Sequence, residues 1–384
     1  MADQATISAV RGLMHDFAVR TGLSAAGRAP RRYLWTDAHA VCNFLGLYRA
    51  SGDRRDLDLA VALVDQVHAV LGRHRPGDTR RGWISGLPEE AGREHPTAGG
   101  LRIGKPLPER ARDEPADERI EWDRDGQYFH YLTKWMHALA RMAAVTGSDR
   151  YLRWAIELAT AALAGFVAPT RTGDAQRLYW KMSVDLSYPL VSSSGLHDPL
   201  DGYLTFSELQ HARARFPADA LGDIGAEVTL LGAMLDGQYW HTDDPLGIGG
   251  LLVDAHRALE LTGQGALPDR SLVPRLTAAA AESLQFYAAH AGLSLPADNR
   301  LAFRELGLAI GLHAVPMIAR AAAGQPEPVR HSARLLVRHV ALAERIERFW
   351  REPRHQQSHT WRDHEDINAV MLATSLLPDE FLAV

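Results

Sequence analysis

Cysteine occurs once in the 384 residues, at position 42, so the chain alone offers neither an internal disulfide nor a thiolate cluster for zinc. A reducing, cytoplasmic setting is the expectation. Lysine is almost as scarce: among 42 Lys and Arg side chains it stands only at 105, 134 and 181. In an Ala-rich and Arg-rich chain, that arginine excess reads as base composition rather than as a binding code. The formal charge of -5 and a pI near 6.4 lack the positive footprint of a nucleic-acid binder or of a protein that lies on an anionic membrane. Neither partner is expected. No run approaches the roughly 18 apolar residues of a membrane span. The opening MADQATISAVRGLMHDFAVRTG has no basic leader followed by an apolar core.

Several chemical signatures are also missing. There is no P-loop, no Gly-rich dinucleotide fingerprint after a strand, no G-x-S-x-G elbow and no HExxH pair. His355, His359 and His364, with Asp366 behind them, read as a polar loop rather than as metal ligands. No metal and no cofactor is therefore expected.

The β-branched alternation of strands is nearly absent, whereas apolar residues recur at helical spacing along most of the chain. The periodicity predicts twelve helices, over 5–21, 34–51, 55–73, 126–146, 149–166, 199–213, 218–238, 246–262, 271–290, 301–321, 327–349 and 363–376. Several come in pairs joined by a glycine and a capping residue: LGLYRASGDRRDLDLA and LARMAAVTGSDRYLRWA share this plan, and HRALELTGQG followed by DRSLVPRLTAAA repeats it more loosely. Helical hairpins at a period of about 40 residues indicate a solenoid or a closed ring. Five hairpins begin at 34, 126, 199, 246 and 301, and pairing the N-terminal helix with the last helix makes a sixth. On this plan the chain resembles the six-hairpin glycosidase superfamily, which includes the N-acylglucosamine 2-epimerase relatives. The resemblance implies an all-α fold, a single (α/α)6 toroid over residues 1–384.

The segments leading into the first helix of each hairpin share a composition. They read YLWTDAH, EWDRDGQYFH, SGLHDPLDGY, QYWHTDDPLGI, PADNRLAFRE and HTWRDHEDIN. Four carry a tryptophan followed within three residues by an aspartate: Trp35 and Asp37, Trp122 and Asp123, Trp240 and Asp243, Trp361 and Asp363. A single aspartate there is what a helix cap requires. Aromatic rings, histidines and extra carboxylates gathered at one end of every hairpin point instead to a shared ligand site. After 121–130, His130, Lys134, His137 and Arg141 fall on one stripe of their helix.

Rings that stack on C–H faces, with acids and amides for hydroxyls, suit a sugar or glycoside. Paired carboxylates suit hydrolysis of the glycosidic bond. The expected acid/base pair is Asp37 with Asp198 or Asp201. An alternative, sugar 2-epimerisation, would use His241 and His364. The expected substrate-binding residues are Trp35, His39, Trp83, Trp122, Asp125, Gln127, Tyr128, His130, Lys134, His197, Trp240, Asp243, Asp244, Arg304, Trp361 and Asp366. Two further readings are a terpenoid-acting enzyme on the same ring and a non-catalytic helical scaffold. A homodimer is left open.

Two long connections complete the plan. Residues 74–120, rich in Pro, Gly and charge yet holding Trp83, Ile84, Leu101 and Ile103, are expected to fold as a lid that brings Arg80, Trp83, Glu89, Glu90, His95 or Arg102 to the site. In 171–200, YWKMSVDL is expected to form a short strand or an extended segment laid across the mouth, bringing Trp180, Lys181 and Asp185 toward His197.

Overall fold

The computed structural model describes residues 3–24, 27–170, 176–217, 221–290 and 292–384. They fall into two compact units. The first comprises Met1–Phe17, Gly46–Gly52 and Gly237–Val384, the second Ala18–Leu45 and Asp53–Asp236.

The chain opens with helices α1 (Gln4–Arg20), α2 (Leu34–Ser51) and α3 (Arg54–Leu71), then the short α4 (Glu89–Glu94) and α5 (Glu118–Glu121). Strand β1 (Gln127–Tyr128) leads into α6 (Phe129–Thr146) and α7 (Asp149–Phe166). Strands β2 (Val167–Pro169), β3 (Gln176–Leu178), β4 (Lys181–Met182) and β5 (Pro189–Val191) precede α8 (Asp198–Ala212) and α9 (Gly225–Ala233). Then come α10 (Pro245–Gly263), α11 (Leu272–His290), α12 (Ala302–Ala322), α13 (Glu327–Val337) and α14 (Ala341–Arg351). The last helices are α15 (His359–Arg362), α16 (Glu365–Leu376) and α17 (Asp379–Leu382).

The turns expected inside the hairpins have the expected chemistry. Gly147, at φ 71, stops α6 in the left-handed conformation, its N–H on the carbonyl of Ala143. Asp53 caps α3 by accepting the Arg55 N–H. Two expected helices differ. The periodicity over 327–349 runs through a break at 338–340, where i to i+3 hydrogen bonds such as Leu342 to His339 tighten the chain while the apolar stripe continues. The helix expected over 218–238 is Gly225–Ala233; 218–220 lie outside the described residues, Asp223 accepts the Gly225 N–H, and Met234 and Leu235 end it in i to i+3 turns.

In the second unit α6 packs against α7 and α8, and α8 against α9. Phe129, Trp135, Leu139, Leu158, Phe166, Leu204 and Phe206 form its core. The Trp135 indole N–H donates to His68 Nε2 at 3.1 Å. β1, β4 and β5 form an antiparallel sheet in that order, with Tyr128 opposite Lys181 and Lys181 opposite Val191. YWKMSVDL thus does contain a strand.

In the first unit α10 and α12 touch backbone to backbone. A Cβ on Gly249 would lie 2.1 Å from the Gly307 carbonyl oxygen, so this crossing requires glycine. α12 is long and apolar enough by length and composition to cross a membrane, which the sequence reading did not anticipate. It packs here against α10, α13, α14 and α16.

Candidate active site

The basic stripe of α6 meets an acidic stripe on α8. His130 Nδ1 lies 3.6 Å from Asp198, Lys134 Nζ 2.7 Å from Asp201, and His137 Nδ1 3.1 Å from Glu208. The Thr133 hydroxyl donates to Asp201 as well. Acids at 198, 201 and 208 share one face of α8 for the same reason that 130, 134 and 137 share one face of α6. All but His130 and Lys134 are buried.

The pair at the open end of this zipper differs from the rest. At 3.6 Å, His130 and Asp198 are beyond hydrogen-bond distance, and among the described residues both His130 Nδ1 and Asp198 Oδ2 are buried without a hydrogen-bond partner. A buried unpaired polar atom costs roughly 1–3 kcal/mol, so such a pair persists where something else requires it. Asp198 is the first residue of α8, followed by Pro199, where the helix dipole favours an acid. The chain approaches it so closely that a Cβ on Gly195 would lie 2.5 Å from the Asp198 carboxylate.

Aromatic rings surround this pair. Trp35 faces His39 at 5.0 Å, Tyr131 at 5.4 Å and His130 at 6.0 Å. Trp180 lies parallel to His130 at 6.3 Å and beside Tyr128 at 5.0 Å, and Trp122, 58% exposed, stands edge-on to Trp180 at 5.3 Å. The hydroxyls of Tyr33 and Tyr131 are 2.5 Å apart. Burial pushes Tyr33 up to about 12 and also raises Tyr128 and Tyr131 well above the ordinary phenol value, so all three phenols keep their protons at neutral pH. His39 donates from Nδ1 to the Trp35 carbonyl at 3.0 Å; burial lowers its pKa to about 3 and keeps the ring neutral.

The wall bearing Trp180 is tied down by Lys181. Its ammonium, fully buried, donates to the carbonyls of Glu121 and Arg124 at 2.7 and 2.9 Å and to the Glu121 carboxylate at 2.9 Å. All three donors are satisfied.

Trp35, His39, Trp122, Tyr128, His130, Lys134, Asp198 and Asp201 are thus brought together in the second unit, with His197 immediately before Asp198 at the start of α8. Other expected residues have different work. Asp37 is buried: Oδ2 accepts the Tyr33 N–H at 2.8 Å and Oδ1 lies 3.3 Å from Arg32, so it fastens the start of α2. Asp125 takes Arg102 and the N–H groups of Gly104 and Gly126. Gln127 accepts from Leu101 and donates to Gly99 and Val184. Both are fully buried ties of the long connection. Trp83 is buried under Arg73, whose guanidinium sits 4.1 Å above the ring. Arg80 is held by Asp78, Glu109 and Asp185, Glu89 by Arg73 and Arg93, and His95 by Glu157.

In the first unit, Asp244 caps α10 through the Gly247 N–H and pairs with Arg304 at 2.6 Å. Trp240 is buried beneath Arg275, and Trp361 stacks on Trp350 at 5.8 Å. His241 pairs with Glu282 at 2.8 Å, and His364 lies edge-on to Phe303 at 5.7 Å. Both histidines are exposed, as is Asp243; Asp366 is half-buried in the first turn of α16. Among the described residues no group of three or more His, Cys, Asp or Glu is arranged to hold a metal ion.

Sequence reasoning missed Tyr33, Tyr131, Thr133 and Glu208. The signal for Glu208 was present: steps of 3 and 7 residues from Asp198 through Asp201 to Glu208 keep all three acids on one helix face.

No family model and no curated protein matches the chain. Solved structures do. An α-1,6-mannanase, GH76A of Salegentibacter sp. HEL1_6, solved as an inactive variant lacking two adjacent aspartates and bound to α-1,6-mannotriose, aligns at 10% identity over 98% of this chain and 100% of that one, with TM-score 0.54. A GH76 α-mannanase of Bacteroides thetaiotaomicron aligns at 9% identity over 98% and 97%, with TM-score 0.53. A cellobiose 2-epimerase of Spirochaeta thermophila aligns at 12% identity over 86% and 85%, with TM-score 0.48. The mannanase likenesses show the fold: the chain has the all-α (α/α)6 six-hairpin architecture that its hairpins predicted.

Proposed function

We propose that the protein is a carbohydrate-active enzyme, a glycoside hydrolase, whose proton-transfer group is Asp198. The observation that carries this reading is the buried Asp198 carboxyl, with one unbonded oxygen, facing the unbonded His130 Nδ1 inside a basin of Trp35, Tyr128, Trp180 and Trp122. Aromatic faces hold a sugar ring, Asp198 moves a proton to or from the glycosidic oxygen, and Asp201, one turn along and held by Lys134 and Thr133, supplies a fixed negative charge. The fold shared with α-1,6-mannanases supports the sugar reading. The mannanase's adjacent aspartates do not carry over. The one adjacent pair in this chain is Asp243–Asp244, and Asp244 is spent on a cap and an ion pair.

A second reading, proton abstraction from a sugar carbon as in epimerisation, is favoured by one observation. The group facing Asp198 is an imidazole, whereas the second carboxylate is already paired. Incubation with α-linked manno-oligosaccharides and aryl glycosides should release reducing ends, and Asp198→Asn should lower the rate by about 10²–10⁴. Exchange of the C2 hydrogen of a free sugar for deuterium in D₂O, without glycosidic cleavage, would select epimerisation. Neither product from a broad panel would remove both.

A further inference from the structure

Lysine is the rare cation of this chain, yet all three copies lie in the second unit beside the aromatic basin. Two are neutralised within the protein: Lys134 by Asp201, and Lys181 by Glu121 while it sits 5.3 Å from the centre of the Tyr128 ring. Lys105 is different. Its ammonium lies 5.4 Å from the centre of the Tyr33 ring, and among the described residues it has no carboxylate within 4 Å. Of its acidic neighbours, Asp125 is taken by Arg102 and backbone N–H groups, and Asp123 is exposed to solvent. Tyr33 leads directly into the basin: its hydroxyl meets that of Tyr131, and Tyr131 touches Trp35 and His130.

We propose that Lys105 receives an anionic substituent of the sugar, so that the substrate is an acidic or phosphorylated sugar rather than a neutral one. This rests on the carbohydrate reading of the same basin. A half-buried cation without a close counterion is a poor stabilising element, since its desolvation cost is offset only in part by the longer-range pull of Asp123 and Asp125. The same arrangement suits an incoming anion, which meets a charge already partly stripped of water. Burial also holds the Lys105 pKa below the ordinary lysine value, against the pull of Asp123 and Asp125. Lysine's compact ammonium accepts carboxylate or phosphate without the planar matching that arginine imposes, which accords with a lysine in a chain that otherwise uses arginine.

The test compares glucose, mannose and galactose with their uronates and 6-phosphates by calorimetry on wild type, Lys105→Met and Lys105→Arg, with acetate and inorganic phosphate as controls. The expected result is an anionic sugar bound at least about tenfold more tightly than its neutral parent, a difference of about 1.4 kcal/mol. That advantage disappears in Lys105→Met, is largely kept in Lys105→Arg, and shrinks as ionic strength rises. Whether the uronate or the phosphate wins identifies the anion. Equal binding of neutral and anionic sugars, an advantage that survives Lys105→Met, or acetate or phosphate binding as tightly as the sugar would each overturn the proposal and leave the carbohydrate reading standing. No binding by any sugar would end the carbohydrate reading, and this inference with it.

Discussion

Lys134→Met removes the cation 2.7 Å from Asp201 while keeping most of the side chain's length and apolar bulk. The partners are 17% and 6% exposed, so Asp201 would be left charged in a site water barely reaches. Breaking a buried pair from one side costs about 3–5 kcal/mol, whereas removing both partners is often near neutral. At about 2.1 cal/mol/K per residue, unfolding 384 residues has an entropy of about 0.8 kcal/mol/K, so the single variant should melt about 4–6 °C lower. Asp201→Asn alone should also lower the melting point, by stranding the ammonium. The double variant Lys134→Met/Asp201→Asn should recover most of the loss, giving a coupling energy well above the 0.5 kcal/mol within which independent sites add. The assay is calorimetric melting of all four proteins at matched pH and salt. A Lys134→Met melting point within about 1 °C of wild type, or additive losses in the double variant, would refute the view that the two helices are locked by charge.

Other expectations follow from the same contacts. His39 and His68 are both held neutral, with pKa lowered by burial to about 3, whereas in the unfolded chain they titrate near 6.5. Their stabilisation is complete above pH 6.5 and is lost as pH falls toward 3. At pH 5.5 the two should together cost about 3 kcal/mol, and His68→Gln should flatten the pH dependence of melting by about half. Gly195→Ala should push the Asp198 carboxylate aside and lower turnover of any substrate by at least about tenfold with little change in melting point; unchanged turnover would separate Asp198 from the chemistry. Asp37→Asn, by contrast, should chiefly destabilise, by about 1–3 kcal/mol through the loosened start of α2, and spare turnover per folded molecule; inactivity with intact stability would return Asp37 to the reacting groups.

The hairpin plan was legible because its marks are local. A glycine that can adopt positive φ at 147, a capping acid at 53 and an apolar repeat at helical spacing each act within a few residues. The break after Val337 was invisible for the converse reason: a kink that keeps the apolar stripe on one side leaves the repeat intact. The site was only partly legible. The stripe at 130, 134 and 137 announced itself, but its meaning depended on α8, about 70 residues on, and no spacing within α6 distinguishes a stripe facing water from one facing carboxylates. The richness of acids ahead of each hairpin misled in a specific way. Asp125, Asp37 and Asp244 share the composition of a binding residue, yet each is consumed by backbone N–H groups and an arginine. Lys105 was passed over because a lone lysine in a charged loop carries no pattern; its rarity was the clue.

The burial of Lys181 bears on how this basin behaves as a surface. A segment pinned by a cation with three hydrogen bonds cannot swing outward without carrying an unsolvated charge through apolar surroundings, so the wall that holds Trp180 is not a flap. A ligand would meet rings already standing in place, and little conformational entropy would be lost there on binding. Affinity at this face should therefore be governed by shape and charge match, and a ligand of the wrong outline would be refused rather than accommodated.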